Sequence, residues 1–315
     1  MAFEGRIGHL EGIESPWGNA GGVVKTVEDV ELMAHTGVGW IEAGSYTLEP
    51  RVGNSPNGEI VYWHDQTEEA TYNSLGMPNK GMDVVEAEIP EMAAIAHAHN
   101  KKLVVNVAPV QSMPTTVIET RELVVRAQAA GADAVLVNAG CPNVITEDGG
   151  RHELLSRDPT SLLMILAELG HVGLTQHSPV FLRTSPLETI EQTESVAQSI
   201  IKSGTVAAVF TPNTWPGYKA VDGAGKPLLE VPGGVGGKSG PYMAGPAQRE
   251  LTRMVEALNN TGIDVVRSSG IVNAVELKVA LGSGAVAGAG TTFFYESKSG
   301  WQEDTDRLLS DLAEL

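Results

Sequence analysis

The stretch Asp133-Ala134-Val135-Leu136-Val137-Asn138-Ala139-Gly140-Cys141-Pro142-Asn143 indicates how this chain folds. It begins with an apolar run of the length of a β-strand and ends in two amide side chains that flank the only cysteine. Because Pro142 cannot continue a strand ladder, the chain is expected to turn there. Reactive groups at the mouth of a strand are typical of parallel α/β enzymes, whose ligands bind at the carboxyl ends of the strands.

Strand-like and helix-like segments alternate on both sides of this stretch. The strand-like runs lie at 37–41, 103–107, 180–182, 206–210, 263–266 and 285–287. Apolar residues at helical spacing occupy 89–99, 117–129, 161–169, 187–203, 247–258 and 273–280. About eight such units predict an α/β fold, a closed (β/α)8 TIM barrel with parallel strands and active-site loops at its C-terminal face. Since no linker rich in proline or serine divides the chain, we expect residues 1–315 to form a single domain.

The composition restricts the class of protein. The chain has 315 residues, 42% of them hydrophobic, which is enough to bury a large core. A formal net charge of −18 argues against nucleic acid as a partner and against an anionic membrane surface. One cysteine cannot form an internal disulfide, no apolar run reaches the roughly 20 residues that span a bilayer, and the N-terminus lacks a signal pattern. We therefore expect a cytoplasmic protein.

Glycine-rich segments late in the chain predict a phosphate site. The segment 233–237 (GGVGG) precedes a predicted helix, 267–270 (RSSG) follows a strand and opens a helix, and 288–292 (GAGTT) follows the last strand. Backbone N–H groups at helix starts and in glycine turns bind phosphate, and barrels commonly bind it after their seventh and eighth strands. Each segment alone also fits an ordinary tight turn, but three in succession favour phosphate binding.

Two long polar segments, 51–80 and 223–240, interrupt the alternation. They predict loops over one end of the barrel, and loops of such length are usually functional.

Four motifs resemble those of the dihydroorotate dehydrogenases, flavin enzymes built on a (β/α)8 barrel. The similar stretches are 42–54 (EAGSYTLEPRVGN), 72–79 (YNSLGMPN), 138–143 (NAGCPN) and 211–214 (TPNT). Their order and spacing match the family over nearly the whole chain, from Asn19 to Thr291.

The resemblance implies FMN as cofactor, a small-molecule substrate such as dihydroorotate, and a homodimer. The implied cofactor contacts are Ala20, Gly21, Ser45, Asn106, Asn138, Arg183, Thr214, Gly237, Ser269, Gly270, Gly290 and Thr291. The implied substrate contacts are Lys25, Asn73, Gly76, Met77, Asn138, Asn143 and Asn213. An amide both donates and accepts hydrogen bonds, so four asparagines suit a planar ring with alternating C=O and N–H groups.

Cys141 is the candidate catalytic base. Oxidation of a C–C single bond to a double bond removes a proton and a hydride; FMN can accept the hydride, but the proton needs a positioned base. An unperturbed thiol pKa of about 8.5 is within reach of neutral pH. A cysteine base also indicates the soluble class of the family, since the membrane-linked class uses serine.

The chain departs from the family pattern at several positions. The soluble class has a lysine where this chain has Gly44, and Lys25 is a possible replacement because the membrane-linked class has its lysine near the end of the first strand. A solvated surface role for Lys25 is equally compatible with the sequence. Arg183 stands where the family has a flavin-contacting lysine, and it keeps the charge but changes the shape. His64 fits an acid/base, a lid residue or, as is commoner for a histidine in a loop, an exposed side chain.

These departures leave three functions open. The first is oxidation of dihydroorotate to orotate in pyrimidine biosynthesis, with FMN. The second retains FMN but acts on another pyrimidine or on a conjugated carbonyl compound. The third is a barrel that binds a phosphorylated ligand without redox chemistry. The electron acceptor is left open.

Overall fold

The computed structural model of the chain describes residues 3–141, 143–144, 154–171 and 178–315. The turn expected at Pro142 lies outside these residues. The strands are β1 (Arg6–Ile7), β2 (Leu10–Glu11), β3 (Trp17–Asn19), β4 (Trp40–Tyr46), β5 (Tyr62–Asp65), β6 (Ala70–Asn73), β7 (Lys102–Val107), β8 (Ala134–Asn138), β9 (Val180–Arg183), β10 (Val206–Thr211), β11 (Trp215–Tyr218), β12 (Gly236–Ser239), β13 (Asp264–Arg267) and β14 (Ala287–Gly290).

Helices separate the strands of a central barrel. They are α1 (Val27–Ala34), α2 (Met82–Ala98), α3 (Thr115–Ala129), α4 (Pro159–His171), α5 (Ile190–Ser203), α6 (Ala244–Ala257), α7 (Ala274–Gly282), α8 (Thr292–Tyr295) and α9 (Trp301–Glu314), with 3₁₀ turns at Leu155–Arg157, Pro232–Gly234 and Pro241–Met243. Strands β3, β4, β7, β8, β9, β10, β13 and β14 close into a barrel in which every neighbouring pair is parallel. The predicted (β/α)8 barrel is thereby confirmed.

Aromatic rings fill the interior of the barrel. The rings of Phe181 and Phe210 stack with centroids 5.5 Å apart, and Trp40 meets Phe210 edge-on at 6.3 Å. The β1–β2 hairpin closes the end at which the strands begin, since the backbone N–H of Gly8 donates to Asp264 at the start of β13, over 2.7 Å. With that end closed, the carboxyl ends of the strands are where a ligand is expected to bind.

Most of a second sheet lies in the polar segments predicted as loops. Strands β5 and β6 of the first segment and β12 of the second, together with β11 just before the second, form an antiparallel sheet of order β11-β12-β6-β5. The glycines of the segment 233–237 had indicated a turn just before a helix, but the segment does not lead directly into one. Its last two residues begin β12, and α6 starts only at Ala244. Pairing with β6, which is remote in sequence, overrides the local turn tendency of the glycines.

Strand β4 begins later and extends further than the apolar pattern at 37–41 predicted. It runs from Trp40 to Tyr46, and all seven residues are buried. A Cβ at Gly39 would lie 2.2 Å from the Ser15 carbonyl oxygen, so close contact with the preceding segment occupies the expected strand start. Polar residues continue the strand because its inner face supports a polar cavity.

Within the described part of the chain, none of the helices has the length and apolar character needed to cross a membrane.

Candidate active site

A cavity with an open volume of about 990 Å³ lies between the barrel and the antiparallel sheet, and we call it the central cavity. Its walls come from the carboxyl ends of barrel strands and from the sheet above them. The implied site residues that line it are Ala20, Gly21, Lys25, Ser45, Asn73, Gly76, Met77, Asn138, Cys141, Asn143, Arg183, Asn213, Thr214, Ser269, Gly270, Gly290 and Thr291. Residues from distant parts of the chain thus share one concave site.

One part of the central cavity, its hydroxyl-rich end, is lined by Thr71, Ser239, Ser269 and Thr292. The Thr71 hydroxyl lies 2.7 Å from that of Ser239 and 2.9 Å from that of Thr292, which ties the antiparallel sheet to the start of α8. The hydroxyl of Ser269 is buried and has no hydrogen-bond partner among the described residues. Hydroxyls and loop N–H groups without a carboxylate are the donor set that a phosphate requires.

The floor of the central cavity is built on a buried ion pair. Arg183 at the end of β9 donates to both carboxylate oxygens of Glu42, over 2.5 and 2.8 Å, and Asn106 donates to the same carboxylate over 2.5 Å. A Cβ at Gly21 would lie 2.8 Å from both Asn106 and Glu42, so only glycine leaves room above the pair. The guanidinium is therefore held against the floor by a carboxylate that does not itself reach the cavity.

Paired amides form another wall. Asn138 donates to the Ser45 hydroxyl over 3.0 Å and accepts from Asn213 over 3.2 Å. Asn143 donates to the side-chain oxygen of Asn73 over 2.7 Å, and its own side-chain oxygen is buried without a partner among the described residues. The four asparagines meet in two pairs and can exchange these bonds for bonds to a ligand ring.

Cys141 and Lys25 line the central cavity beside this amide wall. The sulfur also borders a small apolar cluster of Met77, Ala108 and Val144. Burial lowers the pKa of Lys25 to about 8, while the nearby Cys141 and Asp29 oppose that shift. The attraction is mutual, so the same ammonium favours the ionised thiol.

The start of α1 holds Lys25 in place. Asp29 accepts hydrogen bonds from the backbone N–H groups of Lys25 and Thr26, over 2.8 and 3.0 Å, and donates its own N–H to the Thr26 hydroxyl. This capping box fixes the backbone, and the Lys25 ammonium donates to the Pro78 carbonyl over 2.7 Å. Lys25 is thus directed into the site, and the solvated surface role is wrong.

Two tyrosines from separate elements stand at the cavity. Tyr62 of β5 stacks on Tyr295 of α8 with ring centroids 5.1 Å apart, and both line the cavity. Tyr62 donates to Glu296 over 2.7 Å, and His64 lies 3.9 Å from the same carboxylate. His64 supports this contact and is not among the cavity-lining residues.

Two implied cofactor contacts lie outside the cavity lining. Asn106 is buried beneath the floor, where it bonds Glu42. Gly237 lies within β12, and a Cβ there would be 2.4 Å from the Thr214 hydroxyl, so this glycine permits close packing of a strand rather than a turn around phosphate. Ser239 and Gly240, just beyond it, reach the cavity instead.

Sequence reasoning missed Glu42 as a functional residue, although Glu42 lies in the motif 42–54. An acidic residue inside a strand that is buried along its whole length signals a charge with a buried partner, and that signal could have located the pair.

A closed eight-stranded barrel with a deep polar cavity at the carboxyl ends of its strands defines a TIM-barrel enzyme. The family model of dihydroorotate dehydrogenase matches residues 9–310, and the chain belongs to that family. It is therefore an oxidoreductase that acts on CH–CH groups.

Curated relatives match most of the chain. The "Dihydroorotate dehydrogenase (quinone)" of Roseiflexus castenholzii is 27% identical over 275 residues, covering 86% of this chain and 69% of the relative. The protein of that name from Arthrobacter sp. is 26% identical over 303 residues, which cover 94% of this chain and 82% of the relative. A crystal structure of the Eimeria tenella dihydroorotate dehydrogenase in complex with ferulenol shares the fold, with a TM-score of 0.74 at 20% identity over 99% of this chain and 87% of that one.

The class within the family stays a prediction. Cys141 indicates the soluble class, whereas these curated relatives carry a quinone acceptor in their names. The resemblance of Lys25 to the lysine of the membrane-linked class favours the other class, so the two residues leave the class open.

Proposed function

We propose that the protein binds FMN in the central cavity and oxidises dihydroorotate to orotate in pyrimidine biosynthesis. The observation that carries this proposal is the convergence of four asparagines, one thiol and one lysine on the same cavity. Amides that bond a planar ring, a base for the proton and a cation for the carboxylate are the groups that this substrate needs. We also propose that residues 1–315 form a single FMN-binding domain.

The residues present fit FMN. The hydroxyl-rich end, with the unpaired hydroxyl of Ser269, suits the phosphate, and the space above Gly21 suits a flat ring. Arg183 reaches the cavity from the floor, where its positive charge would stabilise negative charge on the ring. Bound FMN would supply the group that accepts the hydride.

The protein's own groups would orient the substrate and move the proton. The asparagine pairs would hold the pyrimidine ring through its amide edges, and Lys25 would bind its carboxylate. The Cys141 thiolate would take the proton from the carbon next to the one that loses the hydride, so that one C–C bond becomes double. The stacked Tyr62 and Tyr295 would limit access of water to the site.

The test is the visible spectrum of the purified protein before and after anaerobic addition of dihydroorotate. We expect a yellow protein whose flavin absorbance bleaches. A yellow protein that does not bleach at millimolar dihydroorotate would exclude this substrate and favour another pyrimidine or a conjugated carbonyl compound, tested as acceptors by reoxidation of the reduced protein. A colourless protein that takes up no FMN would favour a non-redox phosphate-ligand barrel. Cytoplasmic location and homodimeric assembly are proposals as well, to be measured by cell fractionation and sedimentation.

The affinity for orotate should fall above pH 8. Lys25 loses its proton near that pH because burial lowers its pKa, so a carboxylate ligand keeps its cationic partner below pH 8 and loses it above. We expect the dissociation constant, measured by the flavin absorbance change, to rise about tenfold per pH unit above the pKa, as for any single linked proton.

A matched pair of variants controls this prediction. Lys25→Met should bind orotate weakly and without this pH dependence. Lys25→Arg stays charged, so its dissociation constant for orotate should stay constant up to pH 10. Equal pH profiles for wild type and Lys25→Met would show that another group titrates.

A further inference from the structure

Arg267 is a buried cation behind the loop 268–270. Its residue is 1% exposed. The guanidinium donates to the carbonyl oxygens of Ser269 and Gly270, over 3.0 and 3.2 Å, and outward to Gln248 and the Ala244 carbonyl, over 2.8 and 3.1 Å. All four acceptors are neutral, and the carboxylate that attracts it, Glu276, forms no ion pair with it within 4.0 Å among the described residues. A buried charge whose hydrogen-bond partners are all neutral is costly, so further negative charge beside it would be stabilising.

The central cavity lies on the other side of this loop. Gly270 and Ile271 both line it, and a Cβ at Gly270 would be 3.1 Å from the guanidinium, so Arg267 stands directly behind the loop. In a trans peptide the C=O and N–H groups point in opposite directions. The carbonyl oxygens of Ser269 and Gly270 point at Arg267, and the N–H groups of Gly270 and Ile271 therefore point away from it, towards the cavity.

These two N–H groups are available for a ligand. Neither donates a hydrogen bond to a described residue, and the neighbouring Ser269 hydroxyl is also unpaired. The cationic side chains that do line the cavity, Lys25 and Arg183, are occupied by Pro78 and Glu42. Among the residues that the structure describes, the hydroxyl-rich end thus offers oriented donors but no cation of its own in contact with the cavity.

We propose that Arg267 is the positioning residue for the cofactor phosphate: it aligns the loop 268–270 and supplies, through the loop, the positive charge that balances the phosphate. This inference rests on the proposed function, since it takes FMN as the ligand. Arg267 acts without touching the ligand, because its hydrogen bonds polarise the two peptide groups whose N–H groups face the phosphate. Burial lowers the pKa of Arg267 to about 10, so the side chain is charged at neutral pH.

The experiment compares FMN with riboflavin, which lacks only the phosphate. Apoprotein is titrated with each by quenching of flavin fluorescence, in wild type, Arg267→Met and Arg267→Lys. We expect Arg267→Met to weaken FMN binding about 30-fold or more, as a unit charge at short range through protein allows, and riboflavin binding less than about threefold. Arg267→Lys keeps the charge but loses the forked geometry of the guanidinium. Its affinity for FMN should therefore lie between those of wild type and Arg267→Met.

Controls separate this role from a scaffold role. Arg249→Met changes an exposed arginine on α6, the helix that also carries Gln248, and should leave both affinities unchanged. Equal losses for FMN and riboflavin, or no loss for either, would overturn the inference. If circular dichroism shows that Arg267→Met does not fold, Arg267→Lys alone decides, by the ratio of its loss of FMN affinity to its loss of riboflavin affinity. Wild type that binds neither flavin would instead refute the proposed function.

Discussion

Replacing Cys141 with alanine is expected to lower the rate of flavin reduction by dihydroorotate about 10²- to 10⁴-fold, the usual contribution of a positioned base. The dissociation constant of FMN should stay within about twofold, because the proposed contact of Cys141 is with the substrate and not with FMN. Stopped-flow absorbance under anaerobic conditions measures the rate, and fluorescence titration measures the affinity. A variant that reduces its flavin at the wild-type rate would remove Cys141 from the mechanism.

The serine variant tests why a thiol is present. A hydroxyl ionises far less readily than a thiol, and the Lys25 ammonium can favour the thiolate but not generate much alkoxide. We expect Cys141→Ser to be slower than wild type at pH 7 and to gain rate with rising pH up to the pH at which Lys25 loses its proton. Equal rates for serine and alanine variants at every pH would indicate that position 141 contributes through its shape rather than as a base.

Replacing Arg183 with alanine is expected to destabilise the apoprotein by about 3–5 kcal/mol, the cost of leaving one member of a buried ion pair without its partner. Glu42 is fully buried and does not line the central cavity, so loss of the guanidinium leaves its carboxylate without an opposite charge. Glu42→Gln should cost less, about 1–2 kcal/mol, because Arg183 borders the cavity and an amide retains hydrogen bonding to it. Urea unfolding of the apoproteins measures both values.

The double variant locates the cause. If the stranded carboxylate produces the loss, then adding Glu42→Gln to Arg183→Ala should recover part of the stability instead of lowering it further. Losses that simply add would attribute the effect of Arg183→Ala to missing packing against Phe210, whose ring centre lies 5.7 Å from the guanidinium carbon. Arg183→Lys is the control, because it keeps the positive charge but lacks the two parallel N–H donors of the guanidinium.

The barrel and most of the cavity lining could be predicted from sequence because they depend on local patterns. Apolar runs at strand length mark the barrel strands, and side chains just after them must meet at one end of a closed barrel. That rule alone places Asn138, Cys141 and Arg183 together, as the structure does.

Features that depend on remote pairing could not be predicted. The antiparallel sheet joins two segments that each resemble a loop, and the role of Gly237 changed because a strand from the other segment pairs with it. In the sequence, Arg267 is the first residue of a predicted turn, and nothing there indicates where its side chain points. The four hydrogen bonds in the structure show that the side chain lies behind the loop. The ion pair of Glu42 joins residues 141 positions apart, and no spacing rule connects them.

The antiparallel sheet also limits how the enzyme could be re-engineered. Thr71 and Ser239 enter the hydroxyl-rich end from insertions after two different barrel strands, and they contact each other there. Loops on a TIM barrel are often treated as exchangeable modules, each grafted without regard to the others. In this protein the insertions after β4 and β10 form one sheet, so a chimera with a relative must transplant both together or lose the hydroxyl-rich end, which neither insertion can build alone.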